Sequence, residues 1–233
     1  MVYYNCNSIL KETSMITYEQ IKNDESVNTY IRQADMSLEA LGFTEHSFAH
    51  VTKVAEEAKK LLRMFGADER TQELGWIAGY MHDIGNVINR VDHAQSGAMM
   101  TFRILDKIGM DPKETAMVIT AIGNHDESTA YPVNALAAAL ILADKTDVRR
   151  SRVRGSDMHS FDIHDRVNYA VTTSRLDIDA ENRKITLYLT IDDEISSVAD
   201  YFEIFLGRMQ LSRKAAKKLG AEFSLNINGQ MLM

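Results

Sequence analysis

Cysteine is nearly missing from this chain: Cys6 is the single one among 233 residues. One thiol excludes an internal disulfide and cannot by itself build a sulfur-ligated metal site, so any metal must be held by nitrogen and oxygen. Long apolar runs are missing too. No stretch of 18 or more apolar residues occurs, and the amino terminus lacks a basic start followed by an apolar stretch and a small-residue cleavage site. A cytoplasmic location without membrane attachment is therefore expected. Excess positive charge is also lacking: the net charge of -7 argues against a nucleic acid polymer as partner, because phosphate backbones demand a basic binding face. Neither a Gly-x-Ser-x-Gly elbow nor a phosphate-cradling glycine-rich loop occurs, so no side-chain nucleophile stands out.

What is present is a soluble-protein balance, 45% apolar and 25% charged, with no low-complexity segment, which predicts an ordered chain. Apolar residues recur at helical spacing six times. Val27, Ile31, Ala34, Leu38 and Leu41 form one face and stop at Gly42; Phe48, Val51, Val54, Ala58, Leu61, Leu62 and Phe65 form another and stop at Gly66. Thr44 is a candidate cap for that second helix. A third runs from about Asp68 to Gly85, a fourth from about Asp92 to Gly109, and a fifth from Asp111-Pro112 to about Asn124. Pro132 opens a sixth, whose many alanines allow close packing. Six helices joined by short links predict an all-α bundle.

After Gly155 the pattern changes. Residues 156 to 166 are polar and aspartate-rich and read as a connection, with a short helix around Arg166 to Ser174. Alternation then gives strands at Arg175 to Asp179 and Lys184 to Asp192, a long helix at about Ser196 to Leu219, and a further alternating segment in AEFSLNI. The expected organisation is a loose extension at 1–14, a helical metal-binding domain at 15–155, a connection at 156–174 and a small β-β-α-β subdomain at 175–233.

Four of the seven histidines form a pattern with two aspartates. His50 lies on the second helix, His82 and Asp83 end the third, His93 opens the fourth, His125 closes the fifth, and Asp144 sits near the end of the sixth. A lone helical histidine is more often a hydrogen-bonded core or surface residue, but six such groups on five helices are harder to assign to packing. Imidazole and carboxylate suit iron, manganese, zinc or cobalt, and helical bundles build such sites from facing helices. Asp83 is the most informative of the six, because a carboxylate following Tyr80 and Met81 is costly to bury unless a cation pairs with it.

The ordered set HVTKVA (50 to 55), GYMHDIGN (79 to 86), HAQSGA (93 to 98), IGNHDE (122 to 127) and LADKTD (142 to 147) resembles the HD superfamily of metal-dependent phosphohydrolases over roughly residues 46 to 150. The extra histidines of HAQSGA and IGNHDE resemble those of its dinuclear members, although the Gly-Tyr-Pro signature of the cyclic dinucleotide enzymes is absent. The resemblance implies a mainly α, HD-type bundle with the small carboxy-terminal α+β unit beside it. It further implies that His50, His82 and Asp144 hold one divalent transition metal, that His93 and His125 hold a second, and that Asp83 bridges them.

Two such cations would activate water for attack on phosphorus. The partner is then a small phosphorylated molecule. Lys145, directly after a ligand position, is the first candidate to bind it and to assist Asp83 in catalysis; Arg90 and Arg149 are further phosphate-binding candidates. A structural ion pair is nearly as good a reading for Lys145 and Arg90. His46 reads as a second-layer or capping residue, His159 and His164 as solvated, and Trp76 with the YFEIF aromatics as core or homodimer contacts. Two other functions fit the same ligands: a di-iron oxygenase of the same superfamily, and a non-catalytic nucleotide-sensing module.

Overall fold

The sixth apolar segment is apolar all round, and in the computed structural model, which describes residues 15–155 and 161–233, its helix lies in the centre of the bundle. This helix, α7 (Ala135–Lys145), is capped by Asn134 rather than opened by Pro132, and nine of its eleven residues are buried. A helix without a polar face can be satisfied only by neighbours on every side. Those neighbours are α3 (Phe48–Met64), α4 (Glu69–Met81), α6 (Pro112–Gly123) and α9 (Val198–Lys218), with α5 (His93–Lys107) laid against α6.

The helix starts follow local capping chemistry. Asp24 caps α2 (Glu25–Ala40), Asp68 caps α4, and Asp111 followed by Pro112 opens α6. Ser47, not Thr44, caps α3 by accepting from the Ala49 amide. The five-residue α1 (Tyr18–Lys22) was not legible as a helix, because one turn and a half leaves no periodicity to detect; a capping box between Thr17 and Gln20 holds it. Its Tyr18 ring stacks on Trp76 at a centroid separation of 3.8 Å, so Trp76 is a core contact.

Two glycines set the distances that matter for the site. A Cβ on Gly79 of α4 would come within 2.5 Å of Ala55 Cα on α3, so only glycine lets these helices approach so closely. Gly85 lies in the 3-10 turn Ile84–Val87, just beyond Asp83, and a Cβ there would stand 2.0 Å from the His93 carbonyl oxygen and 2.4 Å from the Gly97 nitrogen. The backbone carrying Asp83 therefore abuts the first turn of α5, which carries His93. Both intruded atoms are main-chain and cannot rotate away. Gly85→Ala should cost about 2–3 kcal/mol, toward the upper end for overpacking. For a chain of this size that is a Tm fall of roughly 4–12 °C in calorimetry. An unchanged Tm would mean that the turn is not packed as described.

Beyond the bundle, α8 (Ile163–Ala170) leads into β1 (Val171–Asp179), which pairs antiparallel with β2 (Lys184–Ile191). The expected helix at 166–174 thus ends four residues early: Val171, Thr172 and Thr173 are β-branched and extend the strand instead. The α9 crossover brings β3 (Glu222–Ile227) parallel to β2, and the two-residue β4 (Gln230–Met231) completes a sheet of order β1-β2-β3-β4. Apolar packing is continuous from the bundle through α9 into Ile185, Leu187 and Leu225 of the sheet. The architecture is mainly α with a small carboxy-terminal α+β unit. Among the described residues no helix is long and apolar enough to cross a membrane. The segment 1–14 expected to be loose, including Cys6, and His159 in the connection lie outside the described residues.

Candidate metal centre

Five elements end at one point. His50 faces inward from the first turn of α3; His82 is the C-cap of α4 and Asp83 follows it; His93 is the first residue of α5; His125 follows the end of α6; Asp144 is on the last turn of α7. All four imidazoles and Asp83 are buried. Successive ring centroids lie 5.2 Å (His50 to His82), 5.0 Å (His82 to His125) and 5.0 Å (His125 to His93) apart.

Asp83 stands between two pairs of imidazoles. Its Oδ2 is 3.5 Å from His50 Nε2 and 3.2 Å from His82 Nε2, while its Oδ1 is 3.5 Å from His93 Nε2 and 3.8 Å from His125 Nε2. Asp144 Oδ1 closes the first group, 3.4 Å from His50 Nε2 and 3.8 Å from His82 Nε2. Ligand atoms about 2.1 Å from one cation stand about 3.0–3.4 Å apart in octahedral or tetrahedral geometry, and the observed spacings are close to that. Among the described residues the buried Nε2 atoms of His50 and His82 find no hydrogen-bond partner, although a carboxylate oxygen lies beside each. Unsatisfied nitrogens converging with carboxylates fit a cation better than they fit a hydrogen-bonded core.

The other ring nitrogens are all engaged. His82 Nδ1 meets the Gly79 carbonyl at 2.7 Å, His93 Nδ1 the Arg90 carbonyl at 3.0 Å, and His125 Nδ1 the Ile122 carbonyl at 2.6 Å. His50 Nδ1 meets Asp147 Oδ2 at 2.8 Å. A carbonyl can only accept, so Nδ1 carries the proton in those three rings and the Nε2 lone pair points to the shared centre. Asn86 donates to Asp83 Oδ1 at 3.0 Å, and Lys145 Nζ lies 2.7 Å from Asp144 Oδ2, orienting each carboxylate from outside.

Electrostatics match this arrangement. Burial opposes the charge on Asp83, but His82, with His125 and His50 beside it, holds its carboxyl well below the usual range. Asp144 is likewise held low against its burial by Lys145 and His50. Burial and Arg152 would depress His50, yet Asp144, Asp147 and Asp83 together raise it to about 9. For His93 burial wins and lowers it to about 4.

Asp147 is the residue that reading the sequence undervalued. It stands in the sequence only as the last letter of LADKTD, but its buried carboxylate serves His50, Lys53 at 2.5 Å and Arg149 at 2.9 Å. Its place in LADKTD, three residues after Asp144 and just past the end of α7, was the available signal. Asp147→Asn should weaken metal binding by about tenfold, the low end of the range for outer partners of metal-bound histidines. Calorimetric titration with Mn2+ or Zn2+ measures this; unaltered affinity would leave Asp147 a purely structural ion-pair hub.

A cleft of about 470 Å³ opens over the centre, lined by Asp83, His93, Asp144, Lys145, Arg90 and Arg152 from the bundle side. Its other wall comes from α8 and α9, through His164, Asn168, Phe205 and Arg208. Lys145 and Arg90 are therefore in the cleft. Arg90 donates to Asn86 Oδ1 at 3.2 Å and lies over the Phe43 ring. Arg149 is elsewhere, donating to Asp147 and to Ser151. His46 lines the cleft with its Nδ1 on the Thr44 carbonyl, and Asn124 is tied to the Thr120 carbonyl.

Comparison with known proteins adds a partial match. Residues 47–149 match the HD domain. The uncharacterized protein MJ1020 of Methanocaldococcus jannaschii is 28% identical over 176 residues, spanning 66% of this chain and 67% of that protein. A crystal structure of a predicted HD superfamily hydrolase from an uncultured Thermotogales bacterium is 25% identical and covers 53% of this chain and 67% of its own, with a TM-score of 0.42, too loose a superposition to transfer positions.

Proposed function

From the match of residues 47–149 to the HD domain, we propose that this protein is a divalent-metal-dependent phosphohydrolase acting on a small phosphorylated metabolite of the cytoplasm. The observation that carries the reading is Asp83, whose two oxygens each face a separate pair of imidazole nitrogens. A single buried carboxylate so placed suits two cations better than one.

His50, His82, Asp83 and Asp144 would hold one ion, and Asp83, His93 and His125 the other. Bound divalent ions in such a pair supply a hydroxide-like nucleophile from water at neutral pH and neutralise phosphoryl charge. The chain supplies the rest. Lys145 presents an ammonium to the cleft beside Asp144, where it can donate to a phosphate oxygen; Arg90 presents a guanidinium to the same cleft. Asp126 reaches to 3.9 Å from His93 Nε2 and faces the same space, placing a carboxylate where a proton could be held during departure of the leaving group.

The test is parallel measurement of phosphate release and oxygen uptake by metal-loaded protein on a panel of phosphate esters and anhydrides. Phosphate release that depends on Mn2+, Fe2+ or Zn2+ is expected. Oxygen uptake without phosphate release would replace this reading with the di-iron oxygenase.

A further inference from the structure

Arg208 is contributed by α9, outside the matched domain, yet it reaches the cleft. Its Nε donates to Glu127 Oε1, and the same oxygen lies 4.0 Å from Lys145 Nζ. Lys145 in turn contacts Asp144. Charges thus alternate outward from the metal centre: Asp144, Lys145, Glu127, Arg208. The Phe205 ring supports the guanidinium from below, with its centroid 4.4 Å away. One carboxylate oxygen bracketed by two cations that come from separate elements has the shape of an anion site with an internal occupant.

We infer that Lys145 and Arg208 form an anion subsite beside the metal centre, that Glu127 fills it in the free protein, and that a second anionic group of the substrate displaces Glu127. The inference rests on the phosphohydrolase reading only for the identity of the first group, the phosphoryl held at the metals. Glu127 is suited to be displaced: its side chain is 33% exposed and sits on the turn after His125, and part-exposed ion pairs add little to stability. A phosphoryl oxygen in its place would gain charge-assisted bonds from both cations. Substrates with two adjacent anionic groups, such as a phosphoanhydride or a phosphate beside a carboxylate, fit this spacing better than a simple monoester.

The experiment is calorimetric binding of inorganic pyrophosphate and of inorganic phosphate to the metal-loaded full chain, with metal content measured for each variant. Arg208→Ala should weaken pyrophosphate at least about tenfold, the loss of a charged hydrogen bond, and phosphate much less. Glu127→Gln should do the opposite and tighten pyrophosphate about threefold or more, because the internal competitor loses its charge. If Arg208 only clamps α9 to the bundle through Glu127, both variants shift binding in the same direction or leave it unchanged, and the inference falls. Should Arg208→Ala not fold, Glu127→Gln alone decides: tightening supports the subsite, and weakening or no change removes it. Pyrophosphate binding through Arg208 without phosphate release from any substrate would defeat the hydrolase reading and leave the subsite intact. Phosphate release with pyrophosphate affinity indifferent to Arg208 would do the reverse.

Discussion

Asp83→Ala should abolish the proposed phosphate release, by at least about a thousandfold, and should prevent metal loading while leaving the far-ultraviolet circular dichroism of a helical protein. The size follows from where Asp83 sits. Each of its oxygens faces one imidazole pair, so a single substitution removes a ligand from both groups. A cation in such a site stabilises the transition state by several kcal/mol, and each 1.36 kcal/mol is about tenfold in rate. The fold persists because its core is elsewhere: α7 packs through Leu136, Leu140 and Ile141, and α4 through Leu74 and Ile77, none of which needs the carboxylate. Elemental analysis and phosphate assay of the purified variant decide the matter. Retained phosphate release would remove Asp83 from the centre of the mechanism.

The second large effect is on stability. Stripping the metals with a chelator should lower Tm by roughly 8–16 °C. The cage buries Asp83, Asp147 and four imidazoles within a few ångströms, and Lys145 Nζ lies 2.7 Å from Asp144 Oδ2. A ligand that binds only the folded state at a thousand times its Kd contributes about 4 kcal/mol, and each kcal/mol is about 2–4 °C in a chain of this size. The Asp83→Ala protein, which holds no metal to lose, should show no chelator effect, so the two perturbations should not add. Scanning calorimetry of both proteins, with and without chelator, is the measurement. A wild-type Tm that stays within about 2 °C while its metal is removed would show that the cage is stable without cations.

The clustering of these histidines and aspartates was legible because its chemistry is expensive. Charged and imidazole groups adjoining apolar helix faces need an explanation wherever they occur, and six of them on five helices leave few. The helices were legible because they carry their own start signals, as at Asp24, Asp68 and Asp111. What could not be read is what depends on contacts distant in sequence. Arg208 meets Glu127 across 81 residues, and nothing near either position announces the other. Arg149 stood close to Lys145 in a run of positive charge, but proximity along the chain does not fix direction. The backbone at Arg149 is extended, and its side chain turns to Asp147. At Val171 the local preference for extended backbone overrode the continuation of α8, and β4 is too short to alternate.

Anomalous scattering from crystals grown with the native metal tests the central claim most directly. Two peaks are expected on either side of Asp83, one bounded by His50, His82 and Asp144 and the other by His93 and His125. Metal-replete crystals in which these side chains surround no ion, with Asp83 simply paired to protonated imidazoles, would contradict it.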